Sequence, residues 1–262
     1  MPDAFYEPDG DRFRATELTR GPWDPDAQHA GPPAGLIARE LEALGDGGGA
    51  RVGRITFEIL RSVPIATLSV AARVVKPGRR VELCEATLSD DRGEIMRATA
   101  WRLRTQPVEL PADLPRPGER GLPGPDDAEP GEFFPTGEDA GYHTAMDYRF
   151  VEGGFLEPGP ATVWMRMRVP LVAGEGPSPL VRVMVAADSG NGVSAALDWR
   201  SFLFINVDLT VHLHRLPAGE WVCLDALTLP EETGLGLSDT LLLDERGRIG
   251  RAAQTLLVDR RA

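Results

Sequence analysis

The chain has 262 residues, 42% of them apolar, and carries 28 basic against 40 acidic side chains, a net charge of −12. That length and apolar content suit one large domain or two of ordinary size with a real core. The acidic balance argues against a nucleic-acid partner, which needs a basic face, and no apolar run approaches the length of a membrane span, so no membrane partner is expected.

The start, MPDAFYEPDGDRF, is acidic and polar, unlike a signal peptide. The two cysteines, Cys84 and Cys223, sit in alternating segments with no CxxC pair. Reduced thiols and a cytoplasmic protein are expected.

A short strand is predicted at Phe13–Thr16, then a helix over GPPAGLIARELEAL (Gly31–Leu44). Its prolines sit at the start, where a missing N–H does no harm. Leu36, Ile37, Leu41 and Leu44 form one apolar stripe. Four alternating, β-branched runs follow near Val52–Leu60, Thr67–Lys76, Arg80–Ser89 and Glu94–Arg104, and read as an antiparallel meander. Its turns, KPGR (Lys76–Arg79) and DDRG (Asp90–Gly93), carry Gly where positive φ is expected.

Residues 105–141 are dense in Pro, Gly and acidic side chains, without periodicity, and read as a surface linker pinned by Phe133 and Phe134. It divides the chain into 1–104 and 142–262. Beyond it, strands are predicted at Tyr148–Glu152 and Ala161–Val169. The run SPLVRVMVAAD (Ser178–Asp188) is apolar nearly all round and reads as a buried helix. A second meander follows near Phe204–His214, Trp221–Leu229, Gly234–Leu243 and Arg248–Val258.

The halves repeat. DDRGEIMRATAWRLR (Asp90–Arg104) lies over DERGRIGRAAQTLLV (Asp244–Val258) at an offset of 154, and the same register aligns Arg61 with Arg215 and VELCEATLSD with LGLSDTLLLD. One buried helix before a long meander, twice over, gives the expected class: α+β, a double hotdog of two antiparallel curved sheets, each wrapped around a central helix, with sheet edges paired. Edge pairing inside one chain is compatible with a monomer or a homodimer.

Three stretches carry a family resemblance: QHAGPPAGLIARELEAL (Gln28–Leu44), AADSGNGVSAALDW (Ala186–Trp199), and NVDLTVHLHRLPAGEWVCLDA (Asn206–Ala226) with GRIGRAAQTLLV (Gly247–Val258). They resemble thioesterase-like proteins related to bacterial acyl-CoA thioesterase II. The resemblance implies an acyl thioester such as acyl-CoA as partner, no metal or organic cofactor, an apolar tunnel for the acyl chain, and a water held by three polar side chains. Carried over by position, these are Asp188, Gln254 and either Asn206 or Thr210, where the family has threonine. His29, Gly31, Arg61 and Arg215 become candidates for substrate binding, with Arg79 and Arg80 as further cations for CoA phosphates. Gln254 aligns with Ala100, and Asp188 with Glu42 when the helices are aligned from their prolines. The second half thus holds the reactive groups.

Each residue also has a plainer role. Asp188 can end a helix, Gln254 can satisfy buried backbone, and His29 can cap the first helix. His212 and His214 suggest a metal only if a third ligand approaches. Ser194 in GVSAA lacks the final glycine of a nucleophile elbow. Two rivals to thioester hydrolysis stand: a non-catalytic hotdog shell binding an acyl or other apolar ligand, and a hydratase using His29.

Overall fold

The computed structural model of the chain describes residues 2–45, 49–114, 121–131, 133 and 135–261. Phe134 lies outside them. The first half holds β1 (Tyr6–Asp9), β2 (Arg12–Ala15), α1 (Gly31–Ala43), β3 (Ala50–Ile59), β4 (Thr67–Lys76), β5 (Val81–Asp90) and β6 (Gly93–Arg104). The rest holds β7 (Glu129–Pro130), α2 (Tyr142–Ala145), β8 (Met146–Gly154), β9 (Glu157–Met167), α3 (Pro179–Ala187), α4 (Gly190–Val193), β10 (Phe202–Asn206), β11 (Asp208–Leu213), β12 (Val222–Pro230), β13 (Leu235–Asp244) and β14 (Gly247–Arg260).

The strands form one continuous sheet rather than two separate ones. Its order is β1, β2, β4, β5, β6, β3, β11, β14, β13, β12, β9, β8, β7, with β10 also on β14. The join is the antiparallel pair β3–β11, which leaves neither central edge open. Thr56 faces Thr210 across it, and the two hydroxyls lie 3.2 Å apart. These residues are equivalents at the 154 offset, so a local pseudo-twofold axis passes between them.

The repeat holds to the hydrogen-bond ladder. Val81 pairs with Leu103 and Asp90 with Gly93 in the first half; Leu235 pairs with Leu257 and Asp244 with Gly247 in the second. A register shift falls at Leu88/Ser89 and again at the matching Leu242/Leu243. Gly93 and Gly247 take positive φ, as expected of the turns. Gly78 in KPGR does not. It is required for space, because a Cβ there would stand 2.2 Å from the Val81 carbonyl oxygen.

α1 and α3 pack on each other as well as on their strands. Gly31 and Gly35 let them approach: a Cβ on Gly31 would meet the Val185 carbonyl oxygen at 2.3 Å. One large buried cluster, running from Phe5 through Ile37, Phe57 and Val183 to Ala252, spans both halves. The halves also interlock at their ends. Phe5 and Tyr6 donate to the carbonyls of Pro170 and Leu171, and part of the linker lies on the second half, with β7 on β8 and the Trp164 indole on the Pro123 carbonyl.

Candidate functional site

α3 begins at Ser178, whose hydroxyl accepts from the Val181 N–H, with Pro179 at the first helical position. It ends at Asp188, still in helical backbone. A negative charge at a helix C-terminus opposes the helix dipole, and this one is only 8% exposed. Three side chains offset that cost. Asn206 Nδ2 donates to Oδ1 at 2.9 Å and Gln254 Nε2 to the same oxygen at 3.3 Å. His29 Nδ1 stands 3.1 Å from Oδ2.

A bulge aims Asn206 at this carboxylate. Val207 separates β10 from β11, and the Asp208 carboxylate takes the Thr255 N–H. The extra residue inverts the inward–outward alternation. Phe204 and Asn206 turn inward before it, while Leu209 and Val211 do so after it. Thr210 therefore sits on the opposite face, against Thr56, and of the two it is Asn206 that reaches Asp188. The same break occurs at Gly53 in β3, the residue equivalent to Val207.

Gln254 lies on β14 and is 2% exposed. Its Nε2 also donates to the Asp188 carbonyl at 3.2 Å, and its Oε1 accepts from the Asn191 N–H at 3.1 Å. Gly190 makes this approach sterically feasible, since a Cβ there would lie 2.5 Å from Thr240 Oγ1. Ser194 bonds the Gly190 carbonyl and Thr228, a structural role.

His29 comes from the other half. Its Nδ1 lies 3.1 Å from the Gly31 N–H as well as from Asp188, so it can accept from one or donate to the other, according to tautomer. Burial lowers its pKa, partly opposed by Asp188. Its ring stacks on Tyr142 at 3.7 Å, and the Tyr142 hydroxyl donates to the Val185 carbonyl. Tyr142 and Asn191 were not singled out by sequence reasoning. Asn191 lies inside the AADSGNGVSAALDW stretch; nothing in the local pattern around Tyr142 marks it.

The other candidates divide. The Gly31 N–H faces His29, and its missing side chain serves helix packing. Arg215 binds Asp244 and the Gly247 carbonyl at 2.9 Å; it staples the β13–β14 turn and does not line the site. Arg61 repeats the staple with Asp90 and the Gly93 carbonyl, yet it does line the site. Arg79 and Arg80 are exposed on the β4–β5 turn. Among the described residues no group of three His, Cys, Asp or Glu side chains could hold a metal, so His212 and His214 gain no third ligand.

Asp188, Asn206 and His29 open onto a cavity of about 600 Å³ between the α1 entry loop, the end of α3 and β10. Its walls mix rings, Trp23, Phe133, Tyr142, Tyr148, Phe155 and Phe204, with aliphatic chains such as Ile59, Leu60, Val63 and Leu203.

The sequence matches a family model for an acyl-CoA thioesterase N-terminal domain over residues 19–103 and one for an acyl-CoA thioesterase C-terminal domain over 123–258. The chain belongs to the acyl-CoA thioesterase family. The fold is similar to that of a proposed thioesterase II from Thermobifida fusca YX, at 18% identity and a TM-score of 0.75 over 96% of this chain and 94% of that one. A conserved protein of unknown function with a hot dog fold from Alicyclobacillus acidocaldarius gives 15%, 0.73, 99% and 97%. The tesB protein of Mycobacterium avium subs paratuberculosis gives 16%, 0.63, 97% and 96%. No curated protein matches the sequence. Among the described residues no helix is long and apolar enough to cross a membrane.

Proposed function

We propose that this acyl-CoA thioesterase family member hydrolyses an acyl-CoA thioester with a water activated by Asp188. The observation that carries the reading is the meeting of Asp188, Asn206 and Gln254, from three separate elements, with Asp188 and Asn206 on the wall of one cavity and Gln254 buried behind them. A carboxylate within hydrogen-bond reach of a water is a competent general base.

In the proposed step Asp188 takes a proton as the water oxygen bonds to the thioester carbon. The carbonyl oxygen becomes an oxyanion, and its collapse breaks the C–S bond. The departing thiolate then recovers the proton from Asp188. Asn206 and Gln254 fix the carboxylate and leave its remaining lone pairs for water. The Ala30 N–H, at the start of α1 and on the cavity wall, makes no hydrogen bond among the described residues and suits the oxyanion. Arg61 and Arg261 line the cavity as cations for CoA phosphates.

The test is free-thiol release from acyl-CoAs of several chain lengths, repeated with Asp188→Ala and Gln254→Ala. Release that falls at least 100-fold in both variants supports the reading. Release unaffected by both removes this site, and none from the native protein favours the non-catalytic acyl binder.

A further inference from the structure

On each strand of the sheet the residues that alternate with those of the core face outward, and in two patches they are apolar. Leu229, Leu235, Leu237 and Leu257 are between 41% and 63% exposed. They adjoin, since Leu229 faces Leu237 and Leu235 faces Leu257 across the ladder. The first half carries Val75, Val81, Leu83 and Leu103 at the same positions under the 154 offset. Val75, Val81 and Leu103 are exposed, Leu83 is half-buried, and Val81 faces Leu103. Apolar side chains on the solvent side at matched positions of both halves form patches, unlike the single apolar residues normal on a surface. The turns beside the patches differ in sign. KPGRR (76–80), beside the first, carries Lys76, Arg79 and Arg80; the equivalent PEETG (230–234), beside the second, carries Glu231 and Glu232. All five are exposed, and none forms an ion pair among the described residues.

From the paired patches and the opposite charge of the turns beside them, we infer that a second copy of this chain covers this face. The first patch of each copy lies on the second patch of the other, and each basic turn meets an acidic one. A twofold axis perpendicular to the pseudo-twofold between Thr56 and Thr210 makes the two junctions equivalent, as an isologous dimer requires. A net charge of −12 sets copies of the chain against one another. Opposite charges at the rim of each junction offset that repulsion and fix which patch meets which, while the leucines and valines supply the apolar area removed from water. An unrelated apolar partner would have no need of turns that differ in sign at equivalent positions. The inference does not depend on the thioesterase reading.

The test is sedimentation velocity of the full chain at micromolar concentration, where the native protein is expected to run as a dimer. Arg79→Glu with Arg80→Glu makes both turns acidic, and Glu231→Lys with Glu232→Lys makes both basic. Each double variant alone should weaken the dimer at least tenfold. Mixed in equal amounts they should dimerise again, because every acidic turn then meets a basic one. Leu235→Gln tests the apolar contact and should weaken the dimer at least tenfold. All the changed side chains are exposed, so each variant is expected to fold, and circular dichroism checks it. A native protein that stays monomeric overturns the inference. So does a dimer that survives the charge reversals or Leu235→Gln, which would use another face, and so does a mixture of the two charge variants that stays monomeric.

Discussion

Replacing Gln254 by glutamate tests the site in a way that stability alone can read. The change is nearly isosteric and keeps an oxygen for the Asn191 N–H. It removes the Nε2 that lies 3.3 Å from Asp188 Oδ1 and puts a second carboxylate there. Two unit charges at that distance repel by about 5 kcal/mol at an effective dielectric of about 20. One of the two carboxyls then keeps its proton well above the ordinary glutamate value of about 4.3. Because the raised value belongs to the folded state, the variant's relative stability is greatest below about pH 4 and falls as pH rises. The expected slope is about 1.4 kcal/mol per pH unit, so the deficit grows by about 3.5 kcal/mol by pH 7. Urea unfolding of the native protein and Gln254→Glu at pH 4.5, 5.5, 6.5 and 7.5 gives the difference directly, with other titrations cancelling. A gap that does not change with pH would refute the close approach of these two side chains.

Two further outcomes follow from the same geometry. Arg215→Ala leaves the buried Asp244 carboxylate without its cation, at a cost of about 2–3 kcal/mol. Chemical denaturation should show that loss with kcat/KM for acyl-CoA unchanged; a KM rise without lost stability would restore Arg215 to substrate binding. Burial lowers the pKa of both His29 and His143 in the folded chain. Native stability is therefore full above about pH 6.5, the unfolded value, and declines as pH falls toward the folded values. His29→Gln should remove part of that decline, and an unchanged pH profile of unfolding would contradict the buried His29.

The repeat was the most legible feature because strand pairing copies sequence register, and the structure adds register shifts that match at the same 154 offset. Both long helices lie where the prolines and the apolar runs put them. β1 was missed because Tyr6–Asp9, with Pro8 inside it, has no alternating pattern and is held by β2 and the second half. The single sheet was hidden because nothing in β3 or β11 alone names its partner. Asp188 and Gln254 were readable from the resemblance, but the side on which Asn206 and Thr210 face was not. One bulge residue, Val207, decides it, and a period-two reading runs straight through. Arg215 had its turn role encoded in the matched pairs Arg61/Asp90 and Arg215/Asp244, a signal available at the same offset.

The most direct measurement of the central claim is a single turnover in H2¹⁸O, with enzyme in excess over acyl-CoA. If Asp188 activates water, every acid molecule from that first turnover carries one ¹⁸O and the Asp188 side chain carries none. Unlabelled acid with ¹⁸O in Asp188 would make the carboxylate itself the nucleophile and contradict the account, as would the absence of any acid.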